Sequence, residues 1–172
     1  MTDPAATPLE HKAHAPRSIG CWVVTISDTK TPETDTSGAA IRELLGAAGH
    51  GVVGSTVVRD EPAEVQRVVS EACRDERVQA VILTGGTGIT SRDSTFEAIE
   101  ALLDKRLPGF GELFRMLSYQ EVGAAAMLSR AQMGIHARRI VVSLPGSPNA
   151  CRLALEKLVI PELGHLVREA SR

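Results

Sequence analysis

Residues 79–84, QAVILT, and 19–27, IGCWVVTIS, are short β-branched, apolar runs in which polar and apolar positions do not alternate. A strand wet on one face reads with a period of two; a strand covered on both faces does not. A sheet built from such runs therefore needs helices on each side. The intervening segments supply them. In 39–49, Ile41, Leu44, Leu45 and Ala48 recur at helical spacing, and Gly49 stands where a helix would end. In 61–75, Pro62 suits a first turn and Val65, Val68, Val69 and Ala72 form an apolar stripe. Residues 94–105 open with Ser94 and Glu97 at the spacing of a capping box. Residues 109–122 read as a further helix, and 147–170 as one interrupted at Pro161. Residues 52–58 and 138–146 read as the remaining strands. Regular alternation of strand and helix predicts an α/β fold: a three-layer sandwich, its central sheet mostly parallel, with helices on both faces.

At 172 residues the chain has the length of one domain. Residues 1–17 are rich in Ala and Pro and have no periodicity, so they read as a flexible tail, with a single domain over 18–172. His11 and His14 lie in that tail without further ligands to make a metal site. A net charge of -2 gives no general affinity for nucleic acid or anionic lipid. No run reaches the roughly 18 apolar residues of a membrane span, and no hydrophobic signal core opens the chain. Cys21, Cys73 and Cys151 are three in number and far apart, which fits neither a zinc site nor a disulfide framework. Buried thiols in a reducing cytoplasm are the expectation.

In parallel α/β sheets, ligands bind beyond the carboxyl ends of the strands. Four loops leave such ends here: after Ser27, at 59–61 (RDE), after Thr84 and after Leu144. The third, TGGTGITSRD (84–93), carries Gly85, Gly86 and Gly88 within four positions. Glycine lets a ligand approach bare backbone, and successive N–H groups at a strand-to-helix turn make a concavity for anions. The loop lacks the Gly-Lys-Ser/Thr of a Walker A loop and the spacing of GxGxxG, so it is a phosphate cradle of another kind or a plain tight turn. Asp28, Asp60 and Asp93 fall on the same edge. An aspartate beside a phosphate site repels the anion unless a cation lies between, and hard oxygen ligands shared with phosphate suit Mg²⁺. Taken singly, each aspartate could equally cap a helix or sit in solvent. LPGSPNACR (144–152) has Pro145, Gly146 and Pro148 in a rigid turn, with Ser147 and Asn149 placed to cap the next helix or to line a second pocket.

With these strings assembled, the sequence resembles the MoaB/MogA family of molybdenum cofactor biosynthesis proteins, closer to the MoaB branch, over about residues 18–165. SDTKTPETDTSG (27–38), RDE (59–61), TGGTGITSRDST (84–95), PGFGELFRMLS (108–118), LSRAQMGI (128–135) and LPGSPNACR (144–152) carry the resemblance. It implies the molybdopterin-binding fold, a trimer or dimer of trimers, and AMP transfer from Mg-ATP to the terminal phosphate of molybdopterin. It implies catalytic and Mg²⁺-holding roles for Asp60 and Asp93. It places Ser27, Asp28, Ser37, Gly38, Thr84, Gly85, Gly86, Thr87, Gly88, Arg130, Pro145, Gly146 and Ser147 around nucleotide or pterin. The family's D-x-S-G corresponds to Asp35, Ser37 and Gly38. Backbone N–H groups of Gly85, Gly86 and Gly88 are expected to hold phosphate oxygens, with Arg92 and Arg130 either paired to phosphates or spent in surface salt bridges. Phe96 stands where adenylylating relatives often have proline. Within the family a non-catalytic pterin binder is the alternative function; an unrelated nucleotide-binding domain lacks any standard fingerprint here. Phe110, Leu113, Phe114, Met116, Leu117 and Tyr119 in one helix exceed what a single core stripe needs, which points to a subunit contact.

Overall fold

A computed structural model describes residues 15–172. Its elements are β1 (Gly20–Ile26), α1 (Thr36–Ala47), β2 (Gly51–Val58), α2 (Pro62–Arg74), β3 (Ala80–Thr84), α3 (Thr95–Leu102), β4 (Lys105–Arg106), α4 (Pro108–Val122), a 3₁₀ segment (Gly123–Leu128), β5 (Gln132–His136), β6 (Arg139–Leu144), α5 (Pro148–Ala154), a π turn (Leu155–Val159) and α6 (Ile160–Ser171). The sheet order is β2-β1-β3-β6-β5-β4. The first four strands in that order are parallel, and β5 and β4 add an antiparallel edge.

The sheet is covered on both sides. On one, Cys21, Val23, Ile82, Ile140 and Val142 pack with Ile41 and Leu45 of α1, Phe110 and Phe114 of α4, and Leu163 of α6. On the other, Val24, Val81, Leu83 and Val141 meet Val65, Val68 and Val69 of α2 and Ile99 of α3. All five residues of β3 are buried. Each such Val, Leu or Ile removed from water contributes on the order of 1.5–3 kcal/mol. Cys21, Cys73 and Cys151 are free and buried. Among the described residues no helix is long and apolar enough to cross a membrane.

Several local expectations are corrected. Helix α1 begins at Thr36 rather than 39, because Asp35 caps it: Oδ1 accepts the Gly38 N–H at 2.8 Å. The capping box of α3 does not form. The Ser94 hydroxyl donates to Asp60 Oδ1 at 3.0 Å instead, and Glu97 pairs with Arg130. Helix α3 stops at Leu102 because Lys105 and Arg106 pair with β5. Strands β4 and β5 have no counterpart in the sequence reading. One is two exposed charged residues, and the other, QMGIH, carries Gly134 mid-strand. That glycine is required by close approach: a Cβ would lie 2.4 Å from the Lys105 carbonyl oxygen. The break before Pro161 is real and takes the form of the π turn, in which the Ile160 N–H reaches the Leu155 carbonyl. Of the expected tail, residues 1–14 lie outside the described residues. Pro16 crosses α6 at Gly164, where a Cβ would come within 2.5 Å of its carbonyl oxygen.

Candidate functional site

A cavity of about 510 Å³ opens where β1, β3 and β6 end. The parallel register puts Thr25, Thr84 and Leu144 side by side, so the three following loops start from one line. Their residues wall the cavity: Ser27 and Lys30 from the first, Thr84 to Gly88 and Asp93 from the second, Pro145, Gly146 and Ser147 from the third. Thr25 and Ile26 at the end of β1, Ser37 on α1, and Leu128 and Ser129 beyond α4 complete it.

The glycine loop is built for close approach. Gly85 and Gly86 have φ of 105° and 64°, in the region other residues avoid. A Cβ on Gly85 would stand 2.2 Å from the Ile26 carbonyl oxygen. A Cβ on Gly86 would meet Thr95 Oγ1 at 2.0 Å and Asp60 Oδ2 at 2.5 Å, and one on Gly88 would meet Asp93 Oδ2 at 2.5 Å. The two aspartates thus brace the loop from separate points. The amide inventory corrects one expectation. The Gly85 N–H is committed to the Leu144 carbonyl at 3.0 Å, and the Gly88 N–H is drawn to the Asp93 carboxylate. The N–H groups of Gly86 and Thr87 have no protein acceptor among the described residues, so they are the donors left for an anion.

Asp93 lines the cavity. Its Oδ2 accepts the Thr90 N–H at 2.9 Å and the Thr90 hydroxyl at 2.6 Å. The hydroxyl bond, more than the backbone bonds, holds the carboxyl below its ordinary pKa. Asp60, 7% exposed, lies behind Gly86 rather than in the cavity wall; its Oδ1 accepts from Ser94 Oγ and, at 3.2 Å, from Thr95 Oγ1. Asp28 is not among the residues that line the cavity. It takes a two-pronged bond from Arg92, at 2.9 and 3.2 Å, and this lowers its pKa. Arg92 is shared with Glu61 at 2.8 Å. Of the alternatives for Arg92, the structure shows the surface salt bridge.

Arg130 is likewise not in the wall. Its Nε donates to the Thr87 carbonyl at 3.2 Å, a terminal nitrogen reaches the Gly88 and Asp93 carbonyls, and the other pairs with Glu97. The guanidinium rests 5.1 Å from the centroid of Phe96. Arg130 therefore staples the loop from outside, and Phe96 serves as its platform rather than as part of the cavity rim. Gly38 makes room at a joint: a Cβ there would sit 2.0 Å from Asp35 Oδ2, the oxygen that accepts from Thr25 Oγ1 at 2.8 Å. Ser37 donates to the Gly146 carbonyl at 2.7 Å and so ties α1 to the third loop. Thr84 Oγ1 donates to the Pro145 carbonyl at 2.8 Å, and Ser147 caps α5 through the Ala150 N–H, the plainer of its two expected roles. Thr25, Lys30, Leu128 and Ser129 were not legible as wall residues. The Ser27 Oγ, three residues earlier, accepts the Lys30 N–H at 3.1 Å and fixes the Lys30 backbone beside the cavity that this residue lines.

The chain matches, over residues 22–165, a family described as a probable molybdopterin binding domain. It is 52% identical over 164 residues to molybdenum cofactor biosynthesis protein B of Bacillus cereus, an overlap covering 95% of this chain and 97% of that one. The chain belongs to the molybdenum cofactor biosynthesis family. A crystal structure of a molybdenum cofactor biosynthesis protein B, 52% identical, superposes with a TM-score of 0.88 over 91% of this chain and 98% of that chain. The tungsten cofactor synthesizing protein MoaB from Pyrococcus furiosus, 40% identical, does so with a TM-score of 0.80 over 92% of this chain and 100% of that chain. The three-layer sheet is thus the molybdopterin-binding fold of the MoaB type, and the cavity lies in the part of the chain that the family match spans.

Proposed function

We propose that the chain acts in molybdenum cofactor biosynthesis as a molybdopterin adenylyltransferase, moving AMP from ATP to the terminal phosphate of molybdopterin. The observation that carries this reading is the cavity itself. Free N–H groups at Gly86 and Thr87, a carboxylate at Asp93 and a rigid proline wall converge at the ends of three parallel strands. Its volume, about 510 Å³, lies in the range of small-molecule sites.

Nucleotidyl transfer asks a protein for position and charge balance rather than covalent help. A pterin phosphate oxygen forms a bond to the α-phosphorus of ATP. The bond from that phosphorus to the bridging oxygen breaks, and its electron pair leaves with pyrophosphate. The amides of Gly86 and Thr87 would hold phosphoryl oxygens. Ser147 and the Pro145–Gly146 wall would orient the ring system. Among the described residues no cluster of three or more His, Cys, Asp or Glu could bind a metal alone. Mg²⁺ at such a site takes most of its ligands from phosphates and water, and Asp93, facing the cavity, fits as its one direct protein ligand. When bound it neutralises phosphate charge. Asp60, one layer behind, would keep Gly86 and the start of α3 in place.

The same reading includes self-association as a trimer or a dimer of trimers. Leu113, Met116, Tyr119 and Val122 of α4, with Met127 beyond it, are each about half exposed or more. A run of this kind marks an interaction surface in soluble proteins. Incubating the purified protein with Mg-ATP and molybdopterin, then separating the pterins, tests the activity. Adenylylated pterin and pyrophosphate in equal amounts are expected. Tight pterin binding with no product would leave the chain as a non-catalytic molybdopterin-binding protein. Sedimentation showing only monomer would remove the oligomer.

A further inference from the structure

The cavity wall holds two charged side chains, Lys30 and Asp93. Asp93 already serves its own loop through Thr90. The other cations nearby are also engaged: Arg92 with Asp28 and Glu61, Arg130 with Glu97 and the loop carbonyls, Arg42 with Asp35 at 3.6 Å. No carboxylate among the described residues forms an ion pair with Lys30. Its backbone is pinned by the Ser27 hydroxyl, which also accepts the Thr29 N–H at 3.2 Å, so the start of the side chain is aimed rather than loose. Its charge is felt behind the wall residue Thr84. Cys151, whose Sγ lies 3.2 Å from Thr84 Oγ1, has its thiol pushed up to about 11 by burial, and the Lys30 ammonium is among the groups that oppose this. An unpaired ammonium and two unpaired amide donors lining one cavity are an arrangement that a polyanion completes.

We propose that Lys30 is the cationic anchor of the cavity, binding a phosphoryl group of the substrate directly. This rests on the reading that the cavity takes phosphorylated ligands. A phosphoryl group reaches it from two sources, the triphosphate of the nucleotide or the terminal phosphate of the pterin, and the two are separated by titrating each alone.

The test uses the full chain and its Lys30→Met and Lys30→Arg variants. Calorimetric titrations with Mg-ATP, with pyrophosphate and with molybdopterin are run at low and at high salt. Lys30→Met keeps the stem of the side chain, so the melting temperature should stay within about 2 °C, as for a surface change. Its affinity for the ligand that Lys30 holds should fall about 10- to 100-fold, the effect of removing one hydrogen bond to a charged group. Lys30→Arg should recover most of that loss, and the methionine variant should show a weaker salt dependence than wild type. Loss confined to ATP and pyrophosphate assigns Lys30 to the nucleotide; loss confined to molybdopterin assigns it to the pterin phosphate. Unchanged affinity of Lys30→Met for all three, while wild type binds them, overturns the anchor and leaves the cavity reading intact. Wild type binding none of the three overturns both.

Discussion

Replacing Gly86 by alanine adds one methyl group, and its cost can be worked from the surroundings. The residue has φ of 64°, where an L-residue costs about 1–2 kcal/mol more than glycine. The new Cβ would also stand 2.0 Å from Thr95 Oγ1 and 2.5 Å from Asp60 Oδ2. Neither atom belongs to a side chain free to swing away. Thr95 is fully buried at the start of α3, and its hydroxyl donates to Asp60, itself 7% exposed. Making room means breaking that hydrogen bond inside the protein, worth about 1–3 kcal/mol for the buried group left unpaired. The sum is about 2–5 kcal/mol, a large share of a typical domain's stability. Urea titration of Gly86→Ala, followed by circular dichroism, measures it. Gly46 on α1, with nothing within 4 Å of its would-be Cβ, is the control: Gly46→Ala should be neutral or stabilise by up to about 1 kcal/mol. Because the clash is shared, Gly86→Ala with Thr95→Ala should destabilise by less than the sum of the single changes. Gly86→Ala within 0.5 kcal/mol of wild type, roughly the scatter of a surface change, would refute the claim that the loop is packed against a rigid Thr95–Asp60 pair.

Asp93→Ala should leave the fold intact by circular dichroism and lower turnover by about 10²-fold or more, the scale of losing one charge-positioning group; full activity would remove Asp93 from the mechanism. The Asp93 carboxyl should titrate below the 3.8 of a free aspartate. A group whose folded pKa is depressed contributes stability above its unfolded pKa and loses it as pH falls through the folded value, so the loop should loosen only below about pH 4, observable by NMR. The β5–β6 turn holds Ala137 and Arg138 at φ of 48° and 62°, conformations that suit Asn-Gly. Ala137→Asn with Arg138→Gly should therefore raise stability by about 1 kcal/mol in thermal melts. The thiols of Cys21, Cys73 and Cys151 are pushed up to about 12, 11 and 11 by burial, so alkylation at neutral pH should be slow until the protein is unfolded.

The sheet and its two helical layers were readable because their signals are local. QAVILT lacks alternation since both its faces are covered, and the stripe Val65, Val68, Val69, Ala72 faces one of the clusters that cover it. Pro161 marked its break for an equally local reason, a missing donor. The position of the glycine loop at a strand end followed from parallel topology alone. Strands β4 and β5 were not readable. Lys105 and Arg106 are strand only because Gly134 lets the neighbouring backbone approach, and no propensity records a partner 28 residues away. The roles within the loop were hidden for the same reason. That Gly85 spends its N–H on Leu144, that Ser94 turns from capping to Asp60, that Arg130 grips loop carbonyls and Glu97, and that Lys30 stands unpaired in the wall are each facts about atoms brought together across the sheet. Residue order determines which groups a chain possesses and how each short segment prefers to run. Which donors remain free for a ligand depends on what folding has already satisfied, and that is decided only when distant segments meet.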